Sequence, residues 1–253
     1  MPRKIVKVIS WNLLRLTGAT VKDIAALIEG YHPDLLLMQE ATEDVATLPT
    51  IVGGYFVHEQ LQRRVYGLAA WTRHPLTRAY ALPLPVSSMP GRVPPRAAQI
   101  VCFRGITFAN VHLSHGQFLN RWQLTRIART IEGPAVVVGD YNAVGPTKLS
   151  GFKDVGPRTS THIAGKIIPF RLDRCMVRGV ECTEARVLQR GPSDHHPIIL
   201  NLNFLSSAMQ TAGVHFSADE RQRELRVEGC YQSRSRPPND RHSCQPLADK
   251  LRR

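Results

Sequence analysis

Short apolar blocks, separated by polar or proline-containing stretches, run through the first two hundred residues. "KIVKVISWN" carries Ile5, Val6, Val8 and Ile9 and predicts a buried strand that stops at Asn12. In "TVKDIAALIEGYHPD" the residues Val21, Ile24, Ala25, Leu27 and Ile28 recur at helical spacing, with Gly30 as a stop signal and Pro33 beyond it. "DLLLMQE" is a continuous apolar run, Leu35 to Met38, that suits a strand buried on both faces and ending on Glu40. "GYFVHEQLQRRVYGLAAWTRHPL" reads as two strands joined by a basic connection around Gln62, Arg63 and Arg64. The stretch up to Pro95 is proline-rich, hence loop or edge strand. It is followed by a hairpin of "AQIVCF" and "ITFANVHLS" turning at Arg104 and Gly105.

"GQFLNRWQLTRIARTIEG" predicts a helix with Phe118, Trp122, Leu124, Ile127 and Ile131 on or near one face. "PAVVVGDYNA" is a further apolar strand ending at Gly139 and Asp140, and "RLDRCMVRGVE", "TEARVLQ" and "HHPIILNLNF" also have strand character. Strand, helix and strand units followed by strand-rich sections imply an α/β layered fold with two sheets packed together. From Ser206 the pattern fades into Arg, Ser and Pro with few apolar residues. The chain therefore divides into a domain at 1–205 and a flexible basic tail at 206–253.

Composition narrows the class. With 43% hydrophobic and 21% charged residues the chain suits one sizeable globular core. The net charge of +13 points to an anionic partner or to a merely solvated basic surface, and the basic character is not confined to the tail. Five cysteines without a C-x-x-C pair suggest neither a disulfide framework nor a zinc ribbon, which fits a reduced, cytoplasmic compartment. The N-terminal stretch lacks the apolar region of a signal peptide, and no apolar run approaches the ~20 residues of a transmembrane span. No obligate protein partner is implied.

Five apolar strands end on residues suited to metal or phosphate chemistry: Asn12, Glu40, His112, Asp140 with Asn142, and Asp194 with His195. Singly, each has an ordinary reading. Asn12 suits a turn, Glu40 the first exposed loop position, His112 an edge histidine, and Asp140 with Asn142 a turn. Asp173 in "RLDRCMV" suits a salt bridge to Arg171 or Arg174. Together they are explained more economically by one shared site, because strand ends in layered α/β proteins form the ligand crevice.

The stretches "SWN", "LLLMQE", "GLAAWTRHPL", "NVHLSH", "VVVGDYNA", "RLDR" and "SDHHP" resemble, in order and spacing over residues 4–203, the endonuclease/exonuclease/phosphatase superfamily of deoxyribonuclease I and the exonuclease III type of abasic-site endonuclease. That resemblance implies a four-layered α/β/β/α sandwich of two packed mixed β-sheets flanked by helices. It also implies metal-assisted hydrolysis of phosphodiester bonds by in-line attack of water, with Mg²⁺ as cofactor and Mn²⁺ as a substitute.

Carried over by residue, the resemblance makes Glu40 the principal metal ligand, helped by Asn12 and completed by Asp194. Asp140 would orient the attacking water and Asn142 would bond a phosphate oxygen. His195, paired with Asp173, would meet the scissile phosphate, and His112 would be a second phosphate ligand or proton donor. Arg63, Arg64, Arg73, Arg92, Arg96 and Arg171 are candidates for a phosphate-binding rim, Arg64 and Arg96 foremost. Glu59 is a candidate to orient His112, and His196 is expected to be structural only.

Histidine at 112, where abasic-site endonucleases carry tyrosine, argues against that branch. The short spacing between motifs leaves no long insertion to grip a duplex. A nuclease is the first expectation. The alternatives are a phospholipid or small-molecule phosphoesterase and a catalytically silent basic nucleic-acid-binding protein.

Overall fold

A computed structural model describes residues 5–61, 64–87, 94–165 and 167–204. Arg63, Arg92 and the 206–253 segment lie outside the described residues. The strands are β1 (Val6–Asn12), β2 (Leu35–Thr42), β3 (Tyr55–Gln60), β4 (Tyr66–Thr72), β5 (Arg78–Pro83), β6 (Ala97–Phe103) and β7 (Ile106–His112). There follow β8 (Ala135–Asp140), β9 (Lys153–Asp154), β10 (His162–Ala164), β11 (Ile168–Phe170), β12 (Asp173–Arg178), β13 (Val180–Val187) and β14 (Ile198–Phe204). The helices are α1 (Val21–Tyr31), α2 (Leu48–Val52) and α3 (Gln117–Thr130).

Two six-stranded sheets carry the fold, the first in the order β13-β14-β1-β2-β4-β3 and the second β5-β6-β7-β8-β12-β9. Both are mixed, with one parallel neighbour pair each, β1 with β2 and β7 with β8. Period-two alternation sorts the side chains into layers. Val6, Val8, Leu35 and Leu37 of the first sheet meet Phe108, Val136, Val138 and Cys175 of the second between the sheets. Ile9, Leu36 and Met38 face outward onto Ile24, Ala25 and Ile28 of α1. Ala109, Val111 and Val137 face outward onto Leu124 and Ile127 of α3. These four layers are the expected sandwich.

Local chemistry explains the element ends. Thr20 and Asp23 form a capping box at the start of α1. The helix passes Gly30 and ends at His32, which takes the left-handed conformation (φ 49°), so the stop falls two residues later than the glycine suggests. The β6–β7 hairpin turns where expected, with Arg104 and Gly105 both at positive φ (49° and 75°) as a two-residue turn between twisted strands requires. The proline-rich stretch contributes β5, an edge strand of the second sheet. β12 and β13 are separated at Gly179, and β13 runs from Val180 to Val187 with a register shift between Cys182 and Glu184. α3 departs most from expectation: Leu124 and Ile127 are buried, but Phe118 and Trp122 are exposed, and Asn120 and Gln123 take the buried face in their place.

Along the inter-sheet layer the chemistry changes from apolar to polar toward one end of the strands. Gln39 donates to Ser10 Oγ (3.0 Å) and to Asn110 Oδ1 (2.7 Å). Asn110 in turn donates to Met38 O (3.0 Å) and to Gln99 Oε1 (3.0 Å). An unpaired buried amide costs about 1–3 kcal/mol, so these side chains are held to one another and fix how the sheets sit face to face. Two residues further along the same inner faces stand Asn12, His112 and Asp140. No helix among the described residues is long and apolar enough to cross a membrane.

Candidate active site

Register brings the second sheet's contribution together. His112 of β7 pairs with Asp140 of β8, and Asp140 pairs with Asp173 of β12, so three ionisable side chains stand abreast on the inner face. Gly139 makes this possible. Its φ is +139°, and a Cβ there would lie 2.2 Å from Val111 O, so only glycine fits before Asp140. Asn142 follows with φ 47°, its backbone N–H donating to Asp140 Oδ1 (2.9 Å) and its side chain to Leu113 O (2.9 Å).

The first sheet supplies the opposite wall. Asn12 ends β1 and donates from Nδ2 to Asp140 Oδ2 (3.0 Å), tying the two sheets together at the site. β2 does not stop at Glu40 but continues to Thr42 through a bulge between Gln39 and Ala41. Glu40 is the bulged residue, with φ 53°, and this break in alternation brings its carboxylate to His112 Nε2 (3.8 Å) and Arg15 Nε (4.0 Å). Strained backbone at Glu40 and Asn142 together is the kind of conformation that persists where surrounding structure holds it for function.

"SDH" then folds over the mouth. Ser193 Oγ donates to Asn12 O (2.7 Å) and accepts from His195 N (3.1 Å), while Trp11 Nε1 donates to His195 O (3.1 Å). The ring is thereby placed to donate from Nδ1 to Asp173 Oδ2 (2.8 Å), with Nε2 3.8 Å from Asp140 Oδ2. Thr161 Oγ1 accepts from Asp173 N (2.9 Å) and fixes that carboxylate's backbone.

The two histidines differ in charge. Burial opposes a proton on His195, but Asp173 and Asp140 outweigh it and raise its pKa to about 10, so it stands as an imidazolium. Burial and the Arg96 guanidinium lower the pKa of His112 to about 3. Arg96 NH1 lies 3.2 Å from His112 Nδ1, and because arginine only donates, Nδ1 must be the acceptor. His112 is therefore neutral with its proton on Nε2, directed at Asp140 Oδ2 (3.5 Å). Burial also pushes the Glu40 carboxyl up, against the pull of Arg15.

Asn12, Glu40, His112, Asp140, Asn142, Asp173 and His195 are thus gathered at one mouth. Asp194 is not gathered with Glu40. It turns to His162 Nε2 (3.4 Å), a contact that lowers its pKa. Arg96 is present, but as the partner of His112, the place for which Glu59 was a candidate. Arg64 is exposed on the β3–β4 connection, and Arg73 lies over the Trp71 ring. Arg171 does not join a rim: its guanidinium is held by both oxygens of Asp154 (2.9 and 2.7 Å). Arg174 also faces Asp154 (3.6 Å), which leaves Asp173 free for His195. His196 Nδ1 meets Leu188 O (3.1 Å), a structural contact.

Two residues escaped the sequence reading. Arg15 lies beside Glu40, and His162 pairs through its backbone with His195, the two ring centroids 4.5 Å apart. Neither ends an apolar run, so periodicity gave no signal for them.

Among the described residues no hydrogen bond reaches the Glu40 carboxylate, which is largely buried. With the oxygens of Asp140 and Asn12 adjacent, this donor set fits a hard divalent cation. Asp140, Asp173 and His195 form a further close group, but the imidazolium charge of His195 makes that group a hydrogen-bonded dyad beside a carboxylate.

Fold and site together define a metal-dependent phosphoester hydrolase built on two face-packed sheets. The chain belongs to the endonuclease/exonuclease/phosphatase family, whose model matches residues 9–195. No curated protein matches it in sequence. Among solved structures it is similar to the endonuclease/exonuclease/phosphatase from Bacteroides vulgatus, with 18% identity, 79% of this chain and 99% of that one covered, and a TM-score of 0.64. It is similar also to the Bacteroides thetaiotaomicron mannosyl-6-phosphatase, with 17% identity, 79% and 100% covered, and a TM-score of 0.61. The third is D. rerio TDP2 complexed with a single-strand DNA product, with 17% identity, 79% and 99% covered, and a TM-score of 0.59. At these identities the likeness shows the fold.

Proposed function

We propose that the protein is a Mg²⁺-dependent phosphodiesterase acting on nucleic acid. The observation that carries this reading is the convergence on Asp140 Oδ2 of Asn12 Nδ2 (3.0 Å), His112 Nε2 (3.5 Å) and His195 Nε2 (3.8 Å), with Glu40 beside His112. Glu40, aided by Asn12, is the residue to hold the cation, which when bound neutralises phosphate charge and lowers the barrier to attack by water. Asp194, 3.4 Å from His162, supports the loop that carries His195.

Asp140, clamped by Asn12 and the Asn142 N–H, orients the attacking water in line with the leaving oxygen. His195, its charge held by Asp173, donates to a non-bridging oxygen as negative charge builds. His112 donates a second hydrogen bond from a neutral ring, and the remaining N–H of the Asn142 amide a third. The water oxygen gives its proton to Asp140 and forms the new bond to phosphorus as the ester oxygen departs and takes a proton from solvent.

Fold likeness does not choose the substrate, since a mannosyl-6-phosphatase and a DNA-bound TDP2 share it. The net charge of +13 favours a polyanion. The test is hydrolysis of bis-p-nitrophenyl phosphate and of plasmid DNA with Mg²⁺ and with EDTA, in the wild type and in Glu40→Gln and Asp140→Asn. EDTA should abolish turnover, and each substitution should lower it by roughly 10²–10³-fold. Turnover that survives EDTA, or full activity in both variants, overturns the site assignment. Turnover of sugar phosphates alone would turn the reading to a phosphatase.

A further inference from the structure

The exposed face of α3 has no role in the site as described. Phe118 is 90% exposed and Trp122 60%, whereas the other two tryptophans, Trp11 and Trp71, are 2% and 1% exposed. Four residues apart, Phe118 and Trp122 share one side of the helix, separated by about 6 Å along its axis. Single exposed apolar residues are ordinary, but two large aromatics side by side keep a rigid apolar surface in water.

Arg121, Arg126 and Arg129 are exposed on the same helix, and residues 117–130 contain no acidic side chain. The opposite face is anchored to the site. Asn120 donates to the carbonyl of Tyr141, the residue between Asp140 and Asn142, and Gln123 accepts from Ser114 N (2.9 Å). α3 therefore begins at the rim of the catalytic mouth, just past His112, and its outward aromatics are held rigidly relative to Asp140.

We propose that the outer face of α3 is a stacking platform that takes unpaired bases of a nucleic-acid strand whose phosphodiester lies at Asp140. This rests on the nuclease reading above and adds that the strand is single at the site. Every base offers a π-face to an aromatic ring once it is unstacked, and the arginines meet the phosphates between stacked bases. A duplex hides those faces. A membrane surface is disfavoured because the apolar stripe ends after Trp122, where Thr125, Arg126 and Arg129 take over. A protein partner has no carboxylate here to pair with, only cations.

Trp122 is its own reporter, since Trp11 and Trp71 are buried. In EDTA, an oligothymidylate of about 12 nucleotides should quench the exposed tryptophan emission of the full chain saturably, and the matching duplex should quench it far less. Phe118→Ala should weaken binding roughly tenfold, and Trp122→Ala, followed by anisotropy of a labelled oligonucleotide, by as much or more. With Mg²⁺, both should raise KM for the single strand and leave turnover of bis-p-nitrophenyl phosphate unchanged. Arg126→Glu, on an exposed position that no fold contact needs, should weaken binding and flatten its salt dependence.

Equal quenching by duplex and single strand overturns the proposal. So does unaltered oligonucleotide affinity in both aromatic variants, or a blue shift with phosphatidylserine vesicles without quenching by the oligonucleotide, which would make the face a membrane contact. Quenching without any phosphodiester turnover leaves the platform standing and removes the nuclease reading. Turnover of bis-p-nitrophenyl phosphate without quenching does the reverse.

Discussion

Two histidines approach the same carboxylate oxygen from opposite sides of the mouth and arrive in different charge states. His112 lies 3.5 Å from Asp140 Oδ2 and His195 lies 3.8 Å from it, and both are almost fully buried. Burial disfavours the imidazolium in each. What separates them is the partner at Nδ1: a guanidinium for His112, a carboxylate for His195. The carboxylate at His195 outweighs desolvation whereas the guanidinium at His112 adds to it, so the second neighbour decides what the first can do. One wall of the mouth offers a charged donor and the other a neutral one, although the sequence writes both as histidine.

The comparison breaks first at Asp173. Its second oxygen is buried without a partner among the described residues, so its charge is spent on His195 alone. Asp173→Asn should pull the His195 pKa down from about 10, because the stabilising negative charge is gone, and should lower kcat by roughly 10- to 100-fold. Titration of the ring by NMR and steady-state kinetics check the two halves. An unmoved pKa would mean that Asp140 alone sustains the charge.

Arg96 gives a smaller effect. Arg96→Met should free Nδ1 of His112 and let its proton move between the ring nitrogens, which nitrogen chemical shifts report. Losing one hydrogen bond to a neutral ring, about 1 kcal/mol, should cost on the order of fivefold in kcat. His196 sharpens the contrast by doing least: His196→Ala should leave kcat unchanged and lower stability by under about 1 kcal/mol, read from a thermal melt.

Much of the site was legible because an inter-sheet layer writes itself into the chain as apolar alternation that turns polar at strand ends. Asn12, His112 and Asp140 were singled out in that way, Asp173 by the family resemblance, and register sets the last three side by side. Glu40 was found for the same reason, but the bulge that aims it has no signature in "LLLMQE". Asp194 stands with His162 and His195, because adjacent residues in a loop point to different neighbours, and His162 became visible only once the two segments paired.

The error at Phe118 and Trp122 has another cause. At about 100° per residue Phe118 and Trp122 fall on the side of α3 opposite Leu124, Ile127 and Ile131, so one face could not hold all five. Asn120 and Gln123 share the buried face with Leu124 and Ile127, where they satisfy backbone groups of the β7–α3 and β8 loops.

The clamp between Asn12 and Asp140 has a consequence for how the protein is made. Asn12 precedes Asp140 by 128 residues, and His195, which closes the mouth, is synthesised after both. Because domains fold as units during synthesis, no shorter nascent chain can hold the catalytic set together. A hydrolase assembled in this way stays silent on the ribosome until the segment that carries His195 has emerged.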